Sequence, residues 1–248
     1  MTRLRFRRRE EAPSRPQGPL PRHVGVIMDG NRRWARAAGF ANASVGHKVG
    51  ADHLADLLGW LHARGIDHAS VYVLSADNIR KREGAEIEYL FDLIRTVLPV
   101  KVRESEWWQL HIAGDLTLLP VACSEALQAA MVETEGRPAQ LTLAIGYDPR
   151  QDVTDAVRRV LRGIGGEPPD GAGFVDAITS ALPGGSVKDI DLVIRTSGER
   201  RISGFFPWQS QKAEIHVSKK LWPAFSEHDL DLAIDDYRRR TAPSPAAC

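Results

Sequence analysis

Three clusters of polar and charged residues follow short apolar segments in this chain of 248 residues. The first cluster starts at Asp29, the second at Ser75 and the third at Arg195. In open α/β sheets, ligands bind just beyond the carboxyl ends of the strands. If the apolar segments are strands, we expect the three clusters to converge on one cleft. Their members are Asp29-Gly30-Asn31-Arg32-Arg33-Trp34, Ser75-Ala76-Asp77-Asn78 and Arg195-Thr196-Ser197-Gly198-Glu199-Arg200-Arg201.

The first cluster has the residue types of a metal-assisted diphosphate site. A carboxylate at Asp29 can hold Mg²⁺, while a helix that starts after Gly30 offers free backbone N–H groups to phosphate oxygens. The alternative is that Asp29 only caps this helix and that Arg32 and Arg33 are solvated. Both interpretations place a helix N-terminus directly after the first strand.

The third cluster is rich in arginine. Arg195, Arg200 and Arg201 lie within seven residues around a Ser-Gly pair. Such a group can surround a second diphosphate with bidentate donors. Because Arg195 closes the strongly apolar segment Leu192–Ile194, we expect its side chain to emerge at the cleft. The alternative is a charged surface loop.

Single residues add weaker signals. His47 precedes a leucine-rich segment and could donate to phosphate near a helix N-terminus, or it could be a capping or surface histidine. Glu214, near the start of the last apolar segment, could supply a second carboxylate to a metal. Among the tryptophans only Trp34 joins the candidate site, since Trp60 and Trp107 lie beside apolar stripes that favour a packing role.

Short β-branched or apolar segments alternate with longer segments of helical period, which is typical of a parallel sheet covered by helices. We therefore predict a single-domain α/β fold with one open, mainly parallel, six-stranded sheet flanked by helices. The predicted strands are His23–Asp29, His68–Ser75, Gln109–Gly114, Gln140–Tyr147, Ile190–Thr196 and Ala213–Val217.

The helical segments carry apolar stripes with a period of 3.6 residues. The clearest stripe consists of four leucines between Leu54 and Leu61, and Gly65 is placed to end that helix. Further predictions are helices over Ile87–Leu98, Val153–Leu161 and Ser226–Tyr237, a capping box at Ser226 and Asp229, and a loop over Gly163–Gly173.

The composition, 43% hydrophobic and 26% charged, suits an ordinary globular core. With 33 Lys and Arg against 32 Asp and Glu, the net charge of +1 gives no reason to expect nucleic-acid binding. No apolar run approaches the roughly 20 residues that cross a bilayer, so we predict a cytoplasmic protein. Cys123 and Cys248 lack metal-ligand spacing.

The chain ends differ in composition from the rest. Residues 1–21 are rich in arginine and proline and are predicted to form a flexible arm, with at most peripheral contact to an anionic membrane. Residues 22–240 form the predicted domain, and residues 241–248 a frayed tail.

Taken together, the segments His23–Ala35, Ser75–Asn78, Asp191–Ser203 and Trp222–Phe225 resemble the cis-prenyltransferase family, in the right order along the chain. Members of this family, the relatives of undecaprenyl diphosphate synthase, condense isopentenyl diphosphate with an allylic diphosphate and create a Z double bond. The resemblance implies Mg²⁺, a homodimer and an apolar tunnel between the sheet and the helices.

The resemblance also implies roles for individual residues. The allylic diphosphate would rest on Gly30, Asn31, Arg32 and Arg33 beside His47, and Asp29 and Glu214 would hold the metal. Asn78, with Ser75, matches the position of the proton-removal step and would orient the proton acceptor. Isopentenyl diphosphate would be bound by Arg195, Arg201 and Ser203, and further substrate contacts would come from Trp34, Asp77, Ile79, Lys81 and Ile202.

The sequence departs from the family pattern at several positions. Arg32 replaces a glycine, the segment Ala41–Ser44 lacks a phosphate-binding arginine, and Ile79 and Lys81 replace Trp and Arg. Asp148-Pro149 and Gln211-Lys212 replace Gly-Gly and Ala-Tyr pairs. These departures concern the substrate more than the reaction class.

Val73 stands at a tunnel-lining position where long-chain members have alanine, so the tunnel should be shorter. With Arg32, this resembles the short-chain subgroup and predicts a product of about three isoprene units, such as (2Z,6E)-farnesyl diphosphate from geranyl diphosphate. Two alternatives stay open: a non-catalytic partner subunit, and an enzyme of irregular head-to-middle coupling or cyclisation.

Overall fold

The structure is a computed structural model that describes residues 18–81, 84–164 and 170–243. Six strands form one sheet in the order β3-β4-β2-β1-β5-β6, and every neighbouring pair is parallel. The predicted α/β class and strand number are thus confirmed. The strands are β1 His23–Ile27, β2 His68–Ser75, β3 Trp108–Ala113, β4 Ala139–Tyr147, β5 Leu192–Arg195 and β6 Glu214–Val217.

Nine α-helices lie within the described ranges and flank this sheet. None of them combines the length and the apolar composition that a membrane span requires. They are α1 Asn31–Ala37, α2 Val45–Ala63, α3 Ala76–Lys81, α4 Ala85–Thr96, α5 Leu98–Glu104, α6 Val121–Glu133, α7 Pro149–Gly163, α8 Gly171–Ala181 and α9 Glu227–Thr241.

Alternation along β4 shows how the sheet separates two apolar layers. Leu141, Leu143 and Ile145 belong to the large core cluster, which also holds the four leucines of α2. Ala144 points to the other face and belongs to a smaller cluster, with Phe205 and Phe206 among its members. Tyr147 reaches the same smaller cluster because the register of β4 shifts at Gly146. Because successive side chains of a strand point to opposite faces, both faces of the sheet are buried, as parallel sheets require.

The predicted helix signals are borne out at two places. The α2 leucines are fully buried, and Gly65 follows the helix end with φ +71°, a conformation that glycine adopts without strain. At α9 the side chain of Ser226 accepts from the Asp229 N–H, and the Asp229 carboxylate accepts from the Ser226 N–H. This is the capping box that the sequence predicts.

Two helix predictions are wrong in extent. The helix expected over Ile87–Leu98 is divided into α4 and α5, because Pro99 in the first turn of α5 cannot continue the hydrogen bonds of α4. The loop expected over Gly163–Gly173 is helical at both ends, since α7 includes Gly163 and α8 begins at Gly171. Packing between α7 and α8 around Ile178 outweighs the low helix propensity of glycine.

The predicted arm and tail fall mostly outside the described residues, namely at 1–17 and 244–248. The last residues of the arm are not loose, because Arg238 of α9 donates from Nε to the Gly18 carbonyl oxygen at 2.9 Å. Thr241 still belongs to α9, and its hydroxyl donates to the Tyr237 carbonyl oxygen. The described domain therefore begins a few residues before 22 and ends just after 240.

Candidate active site

The chain turns sharply where β1 gives way to α1. Gly30 has φ +107°, and a Cβ on it would come within 2.8 Å of the Leu221 side chain. Gly30 is the N-cap residue of α1, and no side chain caps this helix. The alternative in which Asp29 serves as the helix cap is therefore wrong, and its carboxylate is available for other partners.

The Asp29 carboxylate binds two guanidinium groups. Its Oδ2 lies 3.0 Å from Nη2 of Arg195, and its Oδ1 lies 3.3 Å from Nη2 of Arg33. Burial alone would raise the pKa of Asp29, but hydrogen bonding to Arg195 and the charge of Arg33 hold that pKa below its usual value. The carboxylate is therefore ionised at neutral pH.

Arg195 connects the end of β1 to the loop after β5. Its side chain is only 6% exposed, and its Nη1 donates to the Arg201 carbonyl oxygen and to Ser203 Oγ. Ser203 has φ +50°, and Ser197 has φ +78°. Non-glycine residues rarely adopt such values, and they often do so at functional sites. The arginine-rich loop is thus held in a strained conformation around the Arg195 guanidinium group.

The segment around Trp222 holds the backbone of Asp29 in place. The Trp222 N–H donates to the Asp29 carbonyl oxygen at 3.0 Å, and its indole Nε1 donates to the Gly50 carbonyl oxygen at 2.8 Å. The hydroxyl of Thr196 in turn accepts from the Asp29 N–H. The backbone of Asp29 is thus tied to α2 and to the segment after β5.

A cavity of about 780 Å³ opens at the carboxyl ends of β1, β2, β4 and β5. Its walls bring together residues that are far apart in the sequence. Of the candidate residues, those that line it are Asp29, Gly30, Asn31, Arg32, Arg33, His47, Val73, Ser75, Asp77, Asn78, Arg195, Arg201 and Ser203. The three polar clusters thus share one cleft.

A carboxylate from α4 faces Arg32 and His47. Glu86 Oε2 lies 3.2 Å from Nη1 of Arg32, and Glu86 Oε1 lies 3.5 Å from Nε2 of His47. These contacts join α4 to α1 and α2. An anionic ligand that reaches Arg32 and His47 has to compete with Glu86 for them.

On the β2 side of the cavity, Val73 stands at an irregularity of the sheet. Tyr72 pairs with Ala144 and Leu74 with Ile145, so Val73 has no partner on β4. Such a bulge turns a side chain away from its regular direction. Val73 and Leu90 of α4 both line the cavity. Leu90 belongs to the large core cluster, and Val73 packs against that cluster.

Asn78 and Ser75 lie together at the start of α3, where the Asn78 N–H donates to Ser75 Oγ at 3.0 Å. Asp77 forms an ion pair with Lys81 one turn later, at 2.6 Å. Ser75 ends β2 and α3 follows directly, so the second polar cluster points at the cleft from the strand end.

In the part of the chain that the structure describes, Arg200 lies outside the cavity lining, and so do five of the residues to which the resemblance assigned a role. Trp34 stacks on Phe40, with ring centroids 5.8 Å apart. Ile79 packs against the large core cluster, and Ile202 against the smaller one. The remaining two are Lys81 and Glu214.

The expectation that Glu214 and Asp29 meet at one metal is not met within a single chain. Glu214 pairs with Leu192 at the start of β5, whereas Ile27, two residues before Asp29, pairs with Arg195 at its end. At about 3.3 Å per residue, this register alone separates the two ends by roughly 10 Å. Glu214 instead forms an ion pair with Arg240 of α9.

Several lining residues had no predicted role in the site, among them Arg36, Tyr72 and Tyr147, and Asp148 was predicted only as a departure from the family pattern. Arg36 had a usable signal, since it follows Arg33 by three residues on the same helix. Asp148 caps α7 by accepting from the N–H groups of Arg150 and Gln151, and Pro149 occupies the first turn, so the departure at Asp148-Pro149 has a structural basis.

These features define a class of protein: an open parallel α/β fold with an arginine-lined cleft and an ionised aspartate at its strand ends. A family model described as "Putative undecaprenyl diphosphate synthase" matches residues 27–243. The chain belongs to this prenyltransferase family.

Individual relatives agree with this assignment. The chain is 43% identical over 235 residues to a protein of Streptomyces fradiae named "Isoprenyl transferase", with 90% of each chain covered. It is 38% identical to a "(2Z,6E)-farnesyl diphosphate synthase" of Mycolicibacterium smegmatis, covering 91% of this chain and 88% of the relative. A solved structure of lavandulyl diphosphate synthase from Lavandula x intermedia, in complex with dimethylallyl diphosphate, matches with a TM-score of 0.78 and 29% identity over 88% of this chain and 95% of that chain.

Proposed function

We propose that this protein is a Z-prenyl diphosphate synthase that joins isopentenyl diphosphate to a short allylic diphosphate. The observation that carries the proposal is the convergence of Asp29, the α1 arginines and the Arg195 loop on one cavity. Relatives at 38% identity that are named (2Z,6E)-farnesyl diphosphate synthases support geranyl diphosphate as the starter and a product of three isoprene units.

In this proposal, the allylic diphosphate lies at the start of α1. The first intrahelical hydrogen bond is donated by the Trp34 N–H to the Gly30 carbonyl oxygen, so the preceding N–H groups are free to bind phosphate oxygens. Arg32 and Arg33 add positive charge, and the ring of His47 can add a further N–H donor. These donors stabilise the negative charge that develops on the diphosphate as its C–O bond ionises.

The residues present fit a magnesium ion at Asp29, because this carboxylate is kept ionised and has the hard oxygen atoms that Mg²⁺ prefers. With Glu214 held elsewhere, Asp29 would be the protein ligand from this chain, and diphosphate oxygens and water would complete the coordination. When bound, the ion would neutralise charge on the leaving diphosphate.

The second substrate belongs on the other wall in this proposal. Arg195, Arg201 and Ser203 would bind the diphosphate of isopentenyl diphosphate, which brings its double bond toward the ionising allylic carbon. A proton then leaves the isopentenyl unit. Asn78, positioned by Ser75, would orient the acceptor of that proton, for which a phosphate oxygen of the substrate is suited.

The remaining predictions concern the assembly and surroundings of the enzyme. A homodimer is part of the proposal, and the edge strand β6 and the exposed side chains of Ile215 and Leu232 offer a surface for it. The cytoplasmic location stays a prediction of the sequence.

The two alternatives make different predictions. A non-catalytic subunit has no need for the Asp29–Arg195 arrangement, which this chain keeps and assembles. Irregular coupling is the chemistry suggested by the name of the lavandulyl diphosphate synthase, but the relatives of higher identity carry names of regular synthases.

One assay separates these functions. The purified protein is incubated with Mg²⁺ and one of three substrate sets, and the products are identified by mass spectrometry. The sets are labelled isopentenyl diphosphate with geranyl diphosphate, labelled isopentenyl diphosphate with dimethylallyl diphosphate, and labelled dimethylallyl diphosphate alone. We expect (2Z,6E)-farnesyl diphosphate from the geranyl starter. A product from dimethylallyl diphosphate alone would establish irregular coupling, and the absence of any product would favour the subunit role.

A further inference from the structure

Arg36 is a cavity residue to which the family resemblance assigned no role. It is exposed, lies in the last turn of α1 and lines the same cavity as Arg32 and Arg33. Residues three and four apart on a helix are neighbours on one face. The three arginines therefore form one row on α1 that faces the cavity.

The carboxylates near this row are unevenly distributed. Arg33 and Arg195 both bind Asp29, Arg32 binds Glu86, and Arg201 has Glu199 at 3.7 Å. Within residues 18–81, 84–164 and 170–243, no carboxylate forms an ion pair with Arg36. Five arginines line the cavity. Within the described residues, Arg36 is the one among them that can bind an anion without first releasing a carboxylate.

The place of Arg36 along α1 indicates which anion it reaches. The free N–H groups are those of Asn31, Arg32 and Arg33, and Arg36 follows them by three to five residues, an axial rise of about 4.5–7.5 Å. A single phosphate bound to those N–H groups does not need Arg36 as a further donor. A ligand that extends by a second phosphate comes within reach of its guanidinium fork, which suits phosphate oxygens.

We propose that Arg36 binds the terminal phosphate of the allylic diphosphate and thereby makes the cavity prefer diphosphates to monophosphates. This inference rests on the proposed function for the place of the allylic substrate. The structural alternative is that Arg36 only offsets the partial negative charge at the C-terminal end of α1.

Isothermal titration of inorganic pyrophosphate and of inorganic phosphate into the full chain with Mg²⁺ tests this proposal. The variants are Arg36→Gln, Arg36→Lys and, as a matched control, Arg162→Gln, which changes an exposed arginine in the last turn of α7. We expect Arg36→Gln to raise the Kd for pyrophosphate about tenfold and to change that for phosphate less than about twofold. Arg36→Lys should lie between, and the control should match the parent chain.

A pyrophosphate Kd that stays within about twofold in Arg36→Gln would overturn the proposal. An equal loss for both anions would also overturn it, because a general change of charge or structure affects both. The thermal unfolding midpoint of each variant shows whether the fold is intact.

Steady-state kinetics separate this inference from the proposed function. With geranyl diphosphate we expect Arg36→Gln to raise KM for the allylic substrate about tenfold, with kcat and the KM for isopentenyl diphosphate retained. If the parent chain forms product and Arg36→Gln has the parent KM for the allylic substrate, the role of Arg36 is refuted while the proposed function stands. If the parent chain forms no product, the proposed function fails, while the pyrophosphate titration still decides on Arg36.

Discussion

The Asp29 carboxylate interacts with two guanidinium groups of very different exposure. The side chain of Arg195 is 6% exposed, whereas that of Arg33 is 47% exposed. Exposed ion pairs contribute about 0–1 kcal/mol, while a buried charge without its partner is strongly unfavourable. Arg195 is therefore the structural partner of Asp29, and Arg33 is the partner that a ligand can take over.

Asp29→Asn replaces the ionised carboxylate by a neutral amide of nearly the same shape, and so tests whether the negative charge is required. The amide can still accept from Arg195, but it is a much weaker ligand for Mg²⁺, so we expect turnover to fall by about a hundredfold or more. Product formation is measured beside the circular dichroism spectrum. Asp92→Asn, which changes an exposed carboxylate paired with Arg95 on α4, is the control. Near-normal turnover of Asp29→Asn would contradict the metal assignment.

At the scale of elements, α1 and α2 approach each other through two glycines. A Cβ at Gly46 would overlap the Asn31 carbonyl oxygen, and a Cβ at Gly50 would overlap Asn31 Oδ1. Since the Asn31 backbone starts α1, the spacing of the two helices sets where the N–H groups that we propose to bind phosphate lie. Gly59 on the same helix has open space around its Cβ position.

Gly46→Ala and Gly59→Ala therefore form a matched pair within α2. Gly46→Ala should push α1 away from α2 and lower both the unfolding midpoint and turnover. Gly59→Ala should stabilise the protein by about 0.5–1 kcal/mol, because alanine loses less backbone entropy in a helix than glycine does. Urea unfolding and product formation check both variants, and equal behaviour of the two would refute the close-approach argument.

Val73 lines the cavity at the bulge of β2, and we propose that it limits the depth available to the product. Val73→Ala should deepen the cavity and give products longer than three isoprene units, because close-packed interiors leave no space for a further unit beside valine. Val71→Ala is the control, since it makes the same change at a fully buried position of the same strand that does not line the cavity. Chromatography of the products decides, and an unchanged length in Val73→Ala would refute the role of this side chain.

At the scale of the molecule, the sequence predicted local features better than distant ones. All six strands were predicted because apolar residues bounded by turn signals persist in a buried parallel sheet. The position of Glu214 was not predictable, since it depends on the register between β5 and β6. Glu86 was missed for a similar reason: its contacts with Arg32 and His47 join separate helices.

In mild acid, the free energy of unfolding should depend on the protonation of His23. Burial, followed by the charge of His68, lowers the pKa of His23 to about 3. A histidine in the unfolded chain titrates near pH 6.5, so acid protonates the unfolded state first. Below about pH 6.5, the free energy of unfolding therefore loses about 1.4 kcal/mol per pH unit from this residue.

His23→Gln isolates this contribution. Asp152 acts in the opposite direction, because burial raises its pKa to about 6 and protonation then favours the folded state, so the parent chain alone gives a mixed result. Between about pH 7 and pH 5, we expect the variant to lose about 2 kcal/mol less than the parent chain in urea unfolding. His228→Gln, at an exposed position, should follow the parent chain, and parallel curves for His23→Gln would contradict the prediction.

Val73 has no cross-strand partner on β4, and this affects how easily the residue can be exchanged. On a regular strand, a substitution beside a ligand also disturbs the cross-strand neighbour opposite it. Val73 has no such neighbour on β4, so its volume can change while the inter-strand hydrogen bonds on either side persist. With the proposed role of Val73, evolution or protein engineering can therefore change the size of the product by exchanging one side chain, with little disturbance of the sheet.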